Sequence, residues 1–395
     1  MRTPCLFLSL FSTLLVNIPA VNMDAKTLSS AVAKFSAKFC NELVKDKSVV
    51  SSPLSAEYLL ALLTLGTSDP AHAELLTSLD IPDDDSIRSS FSAFSAKLKS
   101  ISGVTLNVAN KVYIKEGPYE LNAELKEDAV NVFDASFEKL DFGDGAAAAE
   151  TINKWVESKT NERIKDLLSS DSLSDDTRVV LVNALYFKGT WDKQFNPMNT
   201  IDQPFHVSSQ STVDIPMMYQ EENYRYGESA ELQAQLLEMK YVGGEASMLI
   251  VLPNEIEGLD AVLQKLADGH DLVSELDKMF STKVQVTLPK FKIETEIDLL
   301  EVLPKLGITA IFDRQNSGLT KILDNPESLF VSKAVQKAFI EVNEEGAEAA
   351  AATAMGIAFL SAVLDAPPVP RFVADRPFLV AILVDDTPYF FATHR

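Results

Sequence analysis

The stretch Asn343-Glu344-Glu345-Gly346-Ala347-Glu348-Ala349-Ala350-Ala351-Ala352-Thr353-Ala354 restricts the fold more than any other part of the chain. Alanine and glutamate favour helix, so a surface helix is one reading. Gly346 sits near its start, however, and the run lacks the apolar stripe by which a helix docks. As a strand it behaves differently. Side chains alternate between faces, and one face carries Ala347, Ala349, Ala351, Thr353, Met355, Ile357 and Phe359 with no charge. The other carries Glu348, then Ala350, Ala352, Ala354, Gly356 and Ala358. Such a segment can enter the middle of a sheet without burying a charge on the first face. It can also live as a loop or a helix, which is the profile of a two-state element.

The rest of the chain is ordinary globular material, 395 residues with 46% hydrophobic and 23% charged. Apolar spacing predicts helices over Leu28–Val44, from Pro53 through Leu54–Leu65, over Ser86–Leu98 and over Ala147–Leu168. Arg178–Val182 is a continuous apolar run, expected of a strand buried on both faces. Ser247–Leu252 reads as a strand stopped by Pro253, and Lys283–Leu288 as an alternating one. Phe378–Val384 and Tyr389–Thr393 read as a terminal hairpin with Asp385-Asp386-Thr387-Pro388 as its turn. Helices early and strands late predict an α+β fold, and no Pro/Gly/Ser-rich linker divides it.

Residues 1–20 read as a secretory signal: Arg2, an apolar run from Cys5 to Val16, and Ile18-Pro19-Ala20 before the cut. The apolar run is shorter than a membrane span. Residues 21–395 are then one secreted, extracellular domain, expected to be a monomer. The net charge of −22 becomes one unit more negative when Arg2 leaves. That charge opposes binding to nucleic acid, heparin-like polyanions and anionic membranes. Lys97 and Lys99 alone make a poor polyanion site. Cys5 leaves with the signal, so Cys40 is expected as a single buried thiol, and no Asn-x-Ser/Thr sequon is present.

Enzyme signatures are missing. His72, His206, His270 and His394 have no zinc-ligand spacing. There is no G-x-S-x-G elbow, no phosphate-binding loop and no dinucleotide fingerprint. Asp83-Asp84-Asp85 lacks the ligand spacing of a calcium loop. No metal or cofactor is expected. A hydrolase would need a nucleophile–base pair that this chain does not advertise.

The alanine-rich segment resembles the hinge and reactive loop of a serpin. Further motifs resemble that family in family order: Val50-Ser51-Ser52-Pro53-Leu54-Ser55, Asn183-Ala184-Leu185-Tyr186-Phe187-Lys188-Gly189-Thr190-Trp191, Leu288-Pro289-Lys290-Phe291, Leu306-Gly307-Ile308-Thr309, Lys337-Ala338-Phe339-Ile340-Glu341-Val342 and Asp375-Arg376-Pro377-Phe378. The resemblance implies helices around a large mixed sheet and two smaller sheets, with an exposed loop at about 344–374. It implies a suicide substrate for serine proteases, not an enzyme: the loop is cut, an acyl-enzyme forms, and the hinge (Glu344, Glu345, Gly346, Ala347, Glu348, Ala349, Ala350, Ala351, Ala352, Thr353) inserts as a new strand. Ser52, Ser55, Asn183, Trp191 and Gln336 then belong where the sheet opens, Gln336 standing where the family often has histidine. The family's spacing from Gly346 puts the bait bond at Leu360–Ser361, with Phe359–Leu360 and Leu364–Asp365 as alternatives. Leucine suits a chymotrypsin-like or elastase-like pocket. A relative that no longer inhibits, and carries or stores instead, is the competing reading.

Overall fold

The computed structural model describes residues 25–324, 328–346 and 368–395. The cut after Ala20 and the segment from Ala347 to Pro367 lie outside them. Helices α1 to α9 span Ala25–Asn41, Pro53–Leu65, Ala71–Leu79, Asp84–Ser100, Ala123–Asn131, Gly145–Lys159, Leu259–Ala267, Leu272–Leu276 and Leu299–Val302. Strands β1 to β7 span Val49–Ser51, Val104–Lys115, Ser136–Leu140, Val179–Gly189, Ile201–Ser208, Ser211–Ser229 and Ala234–Lys240. Strands β8 to β14 span Ala246–Pro253, Phe280–Pro289, Phe291–Asp298, Val331–Val342, Arg371–Val373, Phe378–Val384 and Thr387–His394.

Five strands form a mixed sheet in the order β10–β11–β4–β2–β3. Its centre is the parallel pair β11–β4, flanked by antiparallel neighbours. The run that begins at Arg178 is apolar because β4 is covered twice. Val180, Val182 and Ala184 pack under Ile152 and Val156 of α6. Leu181, Leu185 and Phe187 join the main core with α2 on the other face. α2 is apolar all round, and every one of its thirteen residues is buried. Ser52 caps it and Pro53 supplies the preset first turn.

The remaining strands form a second path, β1–β14–β13–β8–β7–β6–β9–β12, with β5 paired to β6. The two smaller sheets of the family pattern are continuous here. The 19-residue β6 pairs with β5 and β9 along most of its length and with β7 at its C-terminal end.

Two boundaries and the order of elements differ most from the sequence reading. The helix expected over Ala147–Leu168 ends at Lys159, because Asn161 and Glu162 take positive φ and turn the chain. Asn153 then holds the returning chain, its amide bonding both Leu168 N and Leu168 O at 2.8 Å. The terminal hairpin turns on Asp385 and Asp386 alone, both at positive φ, so Thr387 and Pro388 belong to β14. Strands β2 and β3 also precede α6, so helices and strands are more interleaved than expected.

Candidate functional site

The parallel seam between β11 and β4 runs from Val331–Val179 to Phe339–Tyr186, with one register shift between Val331 and Lys333. Parallel ladders are slightly weaker per residue than antiparallel ones. Two polar clusters sit on this seam, one at its middle and one at its upper end.

The middle cluster is a row of amides across three strands. Asn110 of β2 pairs with Asn183 of β4, which pairs with Gln336 of β11. Gln336 and Asn183 are fully buried, and Asn110, Ser52 and Ser55 nearly so. Buried polar groups need partners, and the start of α2 supplies them. Gln336 Oε1 accepts from Ser52 N at 2.9 Å, and Gln336 Nε2 donates to Ser52 O at 2.8 Å and to Asn183 Oδ1 at 2.6 Å. Asn183 Nδ2 donates to Ser55 Oγ and to Asn110 Oδ1, and Ser55 Oγ donates to the same Asn110 oxygen at 3.2 Å. Ser52 Oγ donates to Tyr389 O at 2.5 Å. Thus α2, β14 and the two seam strands are tied at one point. No member of this network ionises near neutral pH.

At the upper end the strands part. β11 continues to Val342 against β10, while β4 continues to Gly189 against β2. Asn343 to Gly346 then turns back on itself. Asn343 N donates to Gly346 O at 3.0 Å, Gly346 N donates to Asn343 O at 3.2 Å, and Gly346 has φ +120. The turn sits on the segment after β4. Trp191 N donates to Glu345 O and Phe195 N to Glu344 O, both at 2.9 Å. Trp191 Nε1 donates to Asn343 O at 3.0 Å, and its ring stacks on Tyr241 with centroids 4.5 Å apart. A side chain on Gly346 would meet Gly189 O at 2.2 Å and Trp191 N at 2.7 Å.

The Glu344 carboxylate is anchored too. Lys290 Nζ lies 2.8 Å from Oε2, and Thr200 Oγ1 donates to Oε1 at 2.8 Å. Burial opposes its ionisation, but Lys290 and Thr200 outweigh it and hold the carboxyl below its usual range.

Ser52, Ser55, Asn183 and Gln336 are therefore brought together. Trp191 lies apart from them at the upper end, with Glu344, Glu345 and Gly346. Ala347, Glu348, Ala349, Ala350, Ala351, Ala352, Thr353, Phe359, Leu360, Ser361 and Leu364 lie outside the described residues. The sequence reading missed Asn110, whose one clue is a polar residue in an apolar strand. It missed Thr200, which carries no signal. Lys290 was visible only as part of a motif.

Cys40 is buried, and desolvation pushes its thiol up to about 12, with Ser51 opposing. Lys97 pairs with Glu245 at 2.9 Å and Asp385 at 2.7 Å, and Lys99 with Asp134 at 3.1 Å. Among the described residues no three His, Cys, Asp or Glu side chains gather as metal ligands would.

Known proteins share this fold. The family model described as serpin (serine protease inhibitor) matches residues 30–394. Antichymotrypsin-2 of Bombyx mori is 43% identical over 374 residues, covering 94% of this chain and 98% of its own. Alaserpin of Manduca sexta is 41% identical over 368 residues, covering 92% and 93%. The crystal structure of Serpin48 from Tenebrio molitor superposes with a TM-score of 0.83 at 34% identity, covering 94% of this chain and 98% of that one. With a mixed sheet whose central parallel seam ends at an anchored glycine turn, and with these likenesses over nearly its full length, the chain belongs to the serpin family.

Proposed function

We propose that this protein is a secreted inhibitor of serine proteases that acts as a suicide substrate. One observation carries the reading: the Asn343–Gly346 turn is seated at the mouth of the β11–β4 seam. The chain that follows it has a charge-free face of small side chains from Ala347 to Thr353. A strand entering that seam replaces one parallel ladder by two, and its small side chains meet no steric bar. Cutting the loop frees the segment to enter, so the native state is held by a kinetic barrier. A protease still esterified to the loop is carried along and its active site deformed.

Leu360–Ser361 is the proposed bait bond, with Phe359 and Leu364 as alternatives, and a chymotrypsin-like or elastase-like enzyme is the proposed target. Relatives named antichymotrypsin-2 and antitrypsin share the same 43% identity with this chain, so overall likeness does not choose the target. The ion pairs of Lys97 and Lys99 favour action without a polyanion. Of the four histidines, His72 and His270 bond carboxylates, His206 bonds Thr212 and His394 lies among Phe205, Phe291 and Phe378. Secretion rests on residues 1–20, and a monomer on the absence of any need for a second copy in this mechanism.

Mixing the mature chain with chymotrypsin tests the reading. The expected result is an SDS-resistant adduct and a released C-terminal peptide beginning at Ser361. Cleavage with no adduct would replace inhibition by a carrier or storage role. A peptide beginning elsewhere would move the bond and leave the mechanism intact.

A further inference from the structure

The segment from Thr190 to Phe195 has two working faces. One seats the hinge through Trp191 N and Phe195 N. The other walls a cleft of about 310 Å³ whose lining includes Asp192, Lys193, Tyr224, Arg225, Met239 and Lys240. This volume is at the small end of ligand pockets, which run from ~300 to 1,000 Å³, so it suits one small molecule.

The charges here fall into two sets. Arg225 Nη1 lies 2.7 Å from Glu238 Oε2, and that carboxylate is buried. Lys193 Nζ donates to Asn223 O at 2.9 Å and stands 5.6 Å from the centre of the Tyr224 ring. Those groups satisfy one another. Asp192 and Lys240 do not. Their backbones are joined, Asp192 N donating to Lys240 O at 3.0 Å. Yet both side chains are exposed, and neither has an ion-pair partner among the described residues. One unmatched anion and one unmatched cation thus border a single cleft, with the buried Tyr224 and Met239 in its lining.

We propose that this cleft binds a small zwitterion of amino-acid type, with its ammonium at Asp192, its carboxylate at Lys240 and an apolar side chain toward Tyr224. A molecule with only one of the two charges leaves the other wall unmatched. A bound zwitterion ties Asp192 to Lys240 and so braces the segment that seats Glu344 and Glu345. That effect on the hinge rests on the inhibitory reading above; the binding itself does not.

The test uses L-leucine as probe and the intact mature chain, with no protease present. Titration calorimetry is expected to show saturable binding, and the melting temperature to rise with leucine concentration. Leucinamide lacks the carboxylate and N-acetylleucine lacks the ammonium. Each is expected to bind about fivefold more weakly, the size of one partly exposed ion pair. Asp192→Asn and Lys240→Met are expected to weaken leucine by a similar factor. No heat and no melting shift with millimolar leucine or phenylalanine would overturn the proposal. So would leucine binding that survives both substitutions. Because these arms need no protease, their failure leaves the inhibitory reading standing. Leucine binding in a chain that forms no adduct with chymotrypsin would support the site and remove only its link to inhibition.

Discussion

Gln336 grips Ser52 by both backbone groups, accepting from its N–H at 2.9 Å and donating to its C=O at 2.8 Å. One side chain on β11 thereby closes the seam against the cap of α2. Gln336→Ala leaves Ser52 N and Asn183 Oδ1 without a partner and Ser52 O with Ala56 N alone, at about 1–3 kcal/mol for each buried orphan. The expected outcome is a clearly lower urea midpoint and faster spontaneous loss of inhibitory activity on warming. Gln336→Glu adds a pH dependence to a network that has no ionising group of its own. A carboxylate facing Ser52 O and Asn183 Oδ1 is repelled, so its folded pKa rises above the unfolded value. The variant should be most stable in acid, where the group is protonated, and lose stability as pH rises. A pH profile for Gln336→Glu no steeper than that of the native chain counts against the network.

Glu344 anchors the Asn343–Gly346 turn through Lys290 and Thr200. Glu344→Lys sets two ammonium groups against each other and should cost about 1–3 kcal/mol in lost charge-assisted bonds. The expected signs are a lower melting temperature and more self-association on heating. Because the folded pKa is depressed, this contribution is present above the ordinary carboxylate value of 4.5 and fades as pH falls through the lower folded value. Glu344→Gln should flatten that acid limb of the stability profile.

Gly346 holds φ +120, and a Cβ added there would come within 3 Å of the backbone of Gly189 and Trp191. Gly346→Ala is therefore strained twice, by conformation and by contact. The turn should be displaced from Trp191, seen as a shift in tryptophan emission, with stability down by about 1–3 kcal/mol. An unshifted spectrum and melt would show that the turn is not seated as described.

Glu57 lies within α2 at 2% exposure, and its Oε1 has no hydrogen-bond partner. Burial pushes its carboxyl well above 4.5, so the folded state holds the proton. Stability from this group is full below the unfolded value and is lost as pH rises above it. Glu57→Gln should match the native chain near pH 4 and exceed it near pH 8, read from urea midpoints at both. Equal pH slopes in the two proteins would contradict this.

Ala349 lies on the charge-free face of the alternation. Ala349→Arg would carry an unpaired cation inward on strand insertion, which a core resists. The variant should be cut as a substrate, with adduct yield per molecule falling at least tenfold. Unchanged inhibitory stoichiometry would undo the alternation argument.

The sequence by itself determined several things. Pro53 and the apolar spacing of Leu54–Leu65 predicted a helix, and α2 is there. The apolar run from Arg178 could only be a strand covered on both faces. The ordered motifs fixed the family before any coordinate, because local chemistry and spacing are written residue by residue. Tertiary structure alone decided the rest. Nothing in Asn110 or Thr200 says that they meet Asn183 and Glu344, since those contacts cross 73 and 144 positions of chain. The end of α6 at Lys159 and the two-residue turn at Asp385 were likewise set by how the chain returns to the core. Periodicity records which face is buried. It does not record which distant partner completes a polar group there, and that pairing is what holds the seam shut and seats the hinge.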